Sequence, residues 1–92
     1  MSQWLRSGRR RDLCVLLAGG GPQRGQELKA ALETHYDQRL EPASFYGSLS
    51  ALVDAGLVEQ RTEGITDVYA LTETGEAALD SHYDWMCSHL EE

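Results

Sequence analysis

The stretch from Pro42 to Gly56 most limits how this chain can fold, because it carries a start signal, one apolar stripe and a stop signal in succession. Proline suits the first turn of a helix, where its missing N–H has no partner to lose. Phe45, Leu49, Leu52 and Val53 then recur at i, i+4, i+7 and i+8, one face of a 3.6-residue period, and Ala55-Gly56 closes the segment. The spacing predicts a helix over Pro42–Ala55 with a clean inner face. Its outer face carries Ala43, Ser44, Gly47, Ser48, Ser50 and Ala51, small residues that let another surface approach closely.

Two helices are expected before it. Leu13, Val15, Leu16, Leu17 and Ala18 follow the basic cluster Arg9-Arg10-Arg11 and predict a helix from Arg9 to Ala18, ended by Gly19-Gly20-Gly21-Pro22. Leu28, Ala31, Leu32 and Tyr36 form one stripe of a second helix over Gly25–Tyr36, with Glu27, Lys29 and Glu33 outside it. After the third helix, Leu57–Arg61 and Asp67–Leu71 read as short strands joined by the five-residue connection Thr62–Thr66, which contains Gly64. Thr72 then caps a last helix, Glu73 and Glu76 suit its positive end, and Leu79, Tyr83, Met86 and Leu90 step along it by 4, 3 and 4.

Three helices, a hairpin and a helix define a fold that is mainly α with a small β-hairpin: a winged helix-turn-helix with a C-terminal dimerisation helix. Ninety-two residues can bury one core. The whole of 1–92 is therefore expected to be one winged-helix domain, with the core at about 9–71 and the dimerisation helix at about 72–90. In such an arrangement the third helix enters the major groove of DNA and the hairpin touches flanking phosphate or the minor groove.

A net charge of −7 opposes a nucleic-acid partner at first sight. The distribution reverses that reading for half of the chain. Residues 1–40 hold seven of the eight basic residues against four acids, whereas residues 41–92 hold Arg61 against eleven acids. No apolar run approaches the roughly 20 residues that span a bilayer, and the N-terminus lacks the apolar stretch of a secretory signal, so a cytoplasmic protein without a membrane partner is expected. Cys14 and Cys87 lie far apart and form no CxxC pair; plain buried or half-buried thiols suit them.

Two blocks resemble the PadR family of transcription regulators. Ser44 to Val58 is similar to that family's reading-helix pattern, a tyrosine (Tyr46) followed by Leu49, Leu52 and then Gly56-Leu57-Val58. Tyr69-Ala70-Leu71-Thr72-Glu73-Thr74-Gly75 resembles the junction where the wing's returning strand ends and the last helix begins. The resemblance spans roughly residues 9–90 and implies a sequence-specific DNA-binding transcription regulator, a homodimeric repressor. Its compact form, with one terminal helix, is similar to short haloarchaeal members, and fifteen carboxylates against one lysine resemble the proteins of salt-loving archaea. One departure is plain. Many relatives carry basic residues in the wing, whereas here Glu63 and Asp67 flank Gly64 and only Arg61 is positive.

The expected DNA-binding residues are Arg9, Arg10, Arg11, Arg24, Lys29, Ser44, Tyr46, Gly47, Ser48 and Arg61. The arginine cluster begins a helix, where the macrodipole disfavours positive charge, so it has another use. Backbone phosphate is one partner; acids of the terminal helix or of a second subunit are the other. Tyr46 either reaches DNA or packs against the wing, and the hydroxyls of Ser44 and Ser48 either bond to DNA or face solvent. Leu79, Tyr83, Trp85, Met86 and Leu90 make too apolar a face for a lone surface helix and are expected at a dimer interface; packing on the chain's own core is the alternative, and Trp4 and Leu5 suit either.

His82, Cys87 and His89 are expected as ordinary edge residues, since their spacing gives no metal face, and neither metal nor cofactor is expected. No GxSxG, phosphate loop, HExxH or dinucleotide fingerprint occurs, so no catalysis is expected. A small-molecule effector stays open, with no pocket legible for it. The alternative function is an acidic winged-helix module that binds protein.

Overall fold

The computed structural model describes residues 8–90, and Trp4 and Leu5 lie outside them. In chain order the elements are α1 (Gly8–Gly20), β1 (Gln23–Arg24), α2 (Gly25–Tyr36), α3 (Pro42–Asp54), β2 (Val58–Glu63), β3 (Thr66–Leu71) and α4 (Glu73–Leu90). The strands form one antiparallel sheet in the order β1-β3-β2. This is a winged helix: three helices share a core, and the hairpin stands at its edge.

The core grows from the predicted stripes of α2 and α3 and from one side of α1, which buries Cys14 and leaves Val15 of the expected apolar run in solvent. Leu13, Cys14 and Leu17 of α1, Leu28 and Leu32 of α2, and Phe45, Leu49 and Leu52 of α3 are all buried. Leu57 and Val58 close it from the wing. Each such side chain contributes about 1.5–3 kcal/mol when fully withdrawn from water, so the three stripes outweigh the weak intrinsic helicity of the short segments that carry them.

α1 runs two residues past the expected end. Gly19 and Gly20 remain helical, and the turn comes at Gly21, whose φ of +72° lets its N–H donate to the Leu17 carbonyl at 3.0 Å. The hairpin is also tighter than expected. Instead of a five-residue connection, the ladder extends to Glu63 opposite Thr66, leaving Gly64 and Ile65 as the turn. Gly64 supplies a φ of +66°, and Asp67 accepts hydrogen bonds from Gln60 Nε2 and Thr62 Oγ1, both at 3.0 Å. Asp67, one of the two acids that flank Gly64, thus holds the two strands together. The third strand, β1, pairs Gln23 with Tyr69 and Arg24 with Val68; two residues are too few to show a period in the sequence.

α4 is joined to the end of α3 through Thr72. Its hydroxyl donates to the Gly56 carbonyl at 2.7 Å and accepts from the Gly75 N–H at 3.0 Å, which makes it the expected cap and a link to α3 at once. A Cβ on Gly75 would collide with the Leu57 carbonyl oxygen and the Leu71 side chain, so this first turn packs directly on backbone. Further along, the buried side of α4 is Gly75 and His82, with Leu79 half-buried between them. His82 is therefore not the edge residue expected from the sequence: it is 5% exposed.

Candidate nucleic-acid interface

α3 buries Phe45, Leu49 and Leu52 and leaves Ala43, Ser44, Tyr46, Gly47 and Ser50 in solvent. Nothing on this outer face is charged before Asp54, and no Lys or Arg occurs in the helix. Ser48 is half-buried, and its hydroxyl donates to the Ser44 carbonyl at 3.3 Å. The Ser44 hydroxyl accepts from Arg9 Nη1 at 3.0 Å, across thirty-five residues of sequence. A cation of α1 is thereby held against the first turn of α3.

Tyr46 occupies a seat made by glycine. Its ring meets Phe45 edge to face, with centroids 4.9 Å apart and planes at 86°. A Cβ on Gly25 would lie 2.9 Å from Tyr46 Cε1 and 3.1 Å from its hydroxyl, so the bare first residue of α2 is what admits the phenol. Tyr46 lines an open cleft of about 410 Å³ together with Arg24, Gln26, Asp67, Tyr69 and Ile65. The tyrosine thus lies where the start of α2, the outer face of α3 and the wing meet. Burial, then the neighbouring Asp67 and Tyr46, push the Tyr69 phenol above its ordinary value.

The basic residues divide into separate places. Arg9 sits beside Ser44, Arg24 stands exposed at the cleft, and Arg61 points to solvent from β2 with Glu59 3.7 Å away. Arg10 is half-buried on α1. Arg11 faces the other way and lines the groove between α1 and α4. Lys29 is occupied: its ammonium pairs with Glu33 at 2.8 Å, and the same carboxylate oxygen accepts the Leu40 N–H at 2.8 Å. The bond from Lys29, followed by that from Leu40, holds the Glu33 carboxyl below its ordinary range. Lys29 therefore fixes the connection between α2 and α3. Ten residues expected at one interface are gathered only in part; Arg9 with Ser44 and Arg24 with Tyr46 are the pairs that meet.

Two features escaped the sequence. Ile65 stands fully exposed at the wing tip, and only the shortening of the turn to two residues puts it there. Tyr36, counted in a core stripe, donates to Asp12 Oδ2 at 2.6 Å; burial, followed by this bond, pushes its phenol up to about 12.

A second surface lies along α4. Tyr83 is 64%, Trp85 48%, Met86 37% and Leu90 71% exposed, whereas Leu79 packs on the core. Val15, Ala18, Leu79, Tyr83 and Met86 line a largely apolar groove of about 490 Å³ between α1 and α4. Trp85 lies between two imidazoles, 5.7 Å from His82 and 4.7 Å from His89 by ring centroid. Cys14 is sealed in the core, where burial pushes its thiol up to about 11; Cys87 is half-buried beside Tyr83. Among the described residues no group of three or more His, Cys, Asp or Glu is placed to hold a metal ion, and no helix is long and apolar enough to cross a membrane.

The profile of the transcriptional regulator PadR-like family matches residues 13–81. Among solved structures, RosR of H. salinarum is 27% identical and superposes with a TM-score of 0.85 over 94% of this chain and 79% of that one. A homodimeric winged helix-turn-helix DNA-binding domain from Mycobacterium bovis is 27% identical, with a TM-score of 0.80 over 97% and 77% of the two chains. F93 from STIV, a winged-helix DNA-binding protein, shares the fold at 16% identity, with a TM-score of 0.73 and 92% of each chain covered. No curated protein sequence matches the chain.

Proposed function

This chain belongs to the PadR-like family of transcriptional regulators, and from that premise we propose that it is a cytoplasmic, sequence-specific DNA-binding regulator that acts as a homodimeric repressor. The observation that carries the reading is the outer face of α3, uncharged before Asp54 and small apart from Tyr46, with Arg9 and Arg24 beside it on other elements. A helix of this kind fits closely into a major groove but supplies little electrostatic hold, so affinity comes from its neighbours. Arg9, Arg10 and Arg24 hold the backbone, Arg61 adds to this from the wing, and Tyr46, Gly47 and Ser48 face base edges. Lys29, already paired, contributes through the shape of the connection it fixes.

Self-association completes the reading. The aromatic and aliphatic face of Tyr83, Trp85, Met86 and Leu90 needs a cover, and the likeness to a homodimeric DNA-binding domain supports a second copy as that cover. Paired reading helices then address two half-sites of a partly palindromic operator.

Fluorescence anisotropy with duplexes from the region upstream of its own gene tests the proposal. Tighter binding to one of these than to a scrambled duplex of equal length is expected, with dimer mass in light scattering; equal binding to all overturns it. A protein-binding module is the second reading, favoured by the acidity of residues 41–92. It predicts stable partner capture from nuclease-treated lysate and indifference of that capture to Tyr46→Phe and Arg10→Ala.

A further inference from the structure

The bond between Arg9 and Ser44 changes what each of them can recognise. Ser44 stands in the first turn of α3, exposed, and its oxygen is taken by Arg9 Nη1 at 3.0 Å. A serine hydroxyl that accepts in this way still has its own hydrogen to donate. Arg9 keeps its remaining guanidinium N–H groups for another partner: among the described residues it forms no ion pair, and the carboxylate one turn along, Asp12, is bonded by the Tyr36 phenol at 2.6 Å. The pair is thus a compact unit of donors with one positive charge, at the edge of a helix that has no cation of its own.

We infer that Arg9 and Ser44 together form a single phosphate-binding site that anchors the first turn of α3 to the DNA backbone, and that Ser44 does not read a base. The inference rests on the DNA-binding reading above. A phosphodiester offers two acceptor oxygens and a charge, which suits a guanidinium and a hydroxyl side by side. The bond from Arg9 leaves this serine a donor beside a cation, a combination that matches the acceptor oxygens of a phosphate. Ser44, one of the expected DNA-binding residues, then positions α3 and leaves discrimination to Tyr46, Gly47 and Ser48.

A double-mutant cycle tests this with Arg9→Gln, Ser44→Ala and the combined variant, each shown folded by circular dichroism. Anisotropy is measured over a potassium chloride series on two duplexes of equal length, one from upstream of the gene and one scrambled. Arg9→Gln is expected to weaken both duplexes by the same factor, about 10-fold, and to change the slope of log affinity against log salt by about one unit, the signature of one lost phosphate contact. Ser44→Ala is expected to cost about threefold when Arg9 is present and nothing when it is absent, since the hydroxyl acts through a shared, charge-assisted contact. Additive losses, or a loss confined to the upstream duplex, overturn the inference while leaving DNA binding intact; the latter result would make the pair a base reader. Wild-type protein that binds neither duplex overturns the DNA reading and this inference with it.

Discussion

α3 and α4 are both amphipathic helices with one face on the core, and they differ in what they leave outside. α3 exposes Ala43, Ser44, Gly47 and Ser50 with a single tyrosine, whereas α4 exposes Tyr83, Trp85, Met86 and Leu90. A face of small polar groups loses little by staying wet and admits a large partner closely. A face of large apolar groups is stabilised by being covered, at about 25 cal/mol for each Å² removed from water. The same principle of folding, an apolar stripe turned inward, therefore leaves two outer faces of different character, which the proposal above assigns to a duplex and to a second copy.

The largest effect is expected from breaking α4. Tyr83→Glu with Met86→Glu places like charges in the proposed dimer seam, and sedimentation should show a monomer. Affinity for a duplex with two half-sites should then fall about 100-fold, because linked binding of two modules multiplies affinity on that scale. A dimer that survives the double substitution would move the interface elsewhere.

The joint between the two helices comes next. Gly75→Ala drives a methyl group into the Leu57 carbonyl oxygen, and overpacking of this kind costs about 1–3 kcal/mol. Urea denaturation should report that loss with the slope unchanged; a variant as stable as the parent would show that the joint yields easily.

On α3 the sharper probe is Tyr46→Phe, which keeps the ring in its seat over Gly25 and removes only the hydroxyl. Stability should change by less than about 0.5 kcal/mol. Preference for the upstream over the scrambled duplex should drop about 5-fold, on the order of one neutral hydrogen bond. Equal loss on both duplexes would assign the phenol to phosphate instead.

The smallest effect concerns pH. In the folded protein the Tyr36 phenol is pushed up to about 12 from an ordinary value of 10.0. Its contribution is complete below that ordinary value and is lost as pH rises through the folded one. Glu33 runs the other way: its folded value lies below the ordinary 4.5, so its contribution is present above that and fades as pH falls through the lowered value. Tyr36→Phe should cost about 1 kcal/mol at neutral pH and flatten the alkaline limb of stability against pH.

The helices were legible because their signals are local. Gly25–Tyr36 matches its observed range, and Pro42–Ala55 includes the observed helix with Ala55 as its cap, since a stripe of leucines and its stop residues lie within a dozen positions. The wing was legible as a hairpin but not in its length, because Thr62 and Gln60 are tied to Asp67 by side-chain bonds that alternation of apolar residues does not reveal. Within the interface, residue types were readable and their partners were not. Arg9, Arg11 and Lys29 look alike in sequence, yet one meets Ser44, one faces α4 and one is held by Glu33.

By itself, then, the amino-acid sequence determined which segments are helical, which faces of α2 and α3 turn inward and that cations are absent from α3, because these follow from periodicity and composition over short spans. The tertiary structure decided which cation reaches that helix, that His82 rather than Tyr83 turns toward the core, and that Tyr46 rests on Gly25. Those outcomes depend on distances between segments far apart in the chain, and a side chain's partner is set only when the packed core brings the segments together.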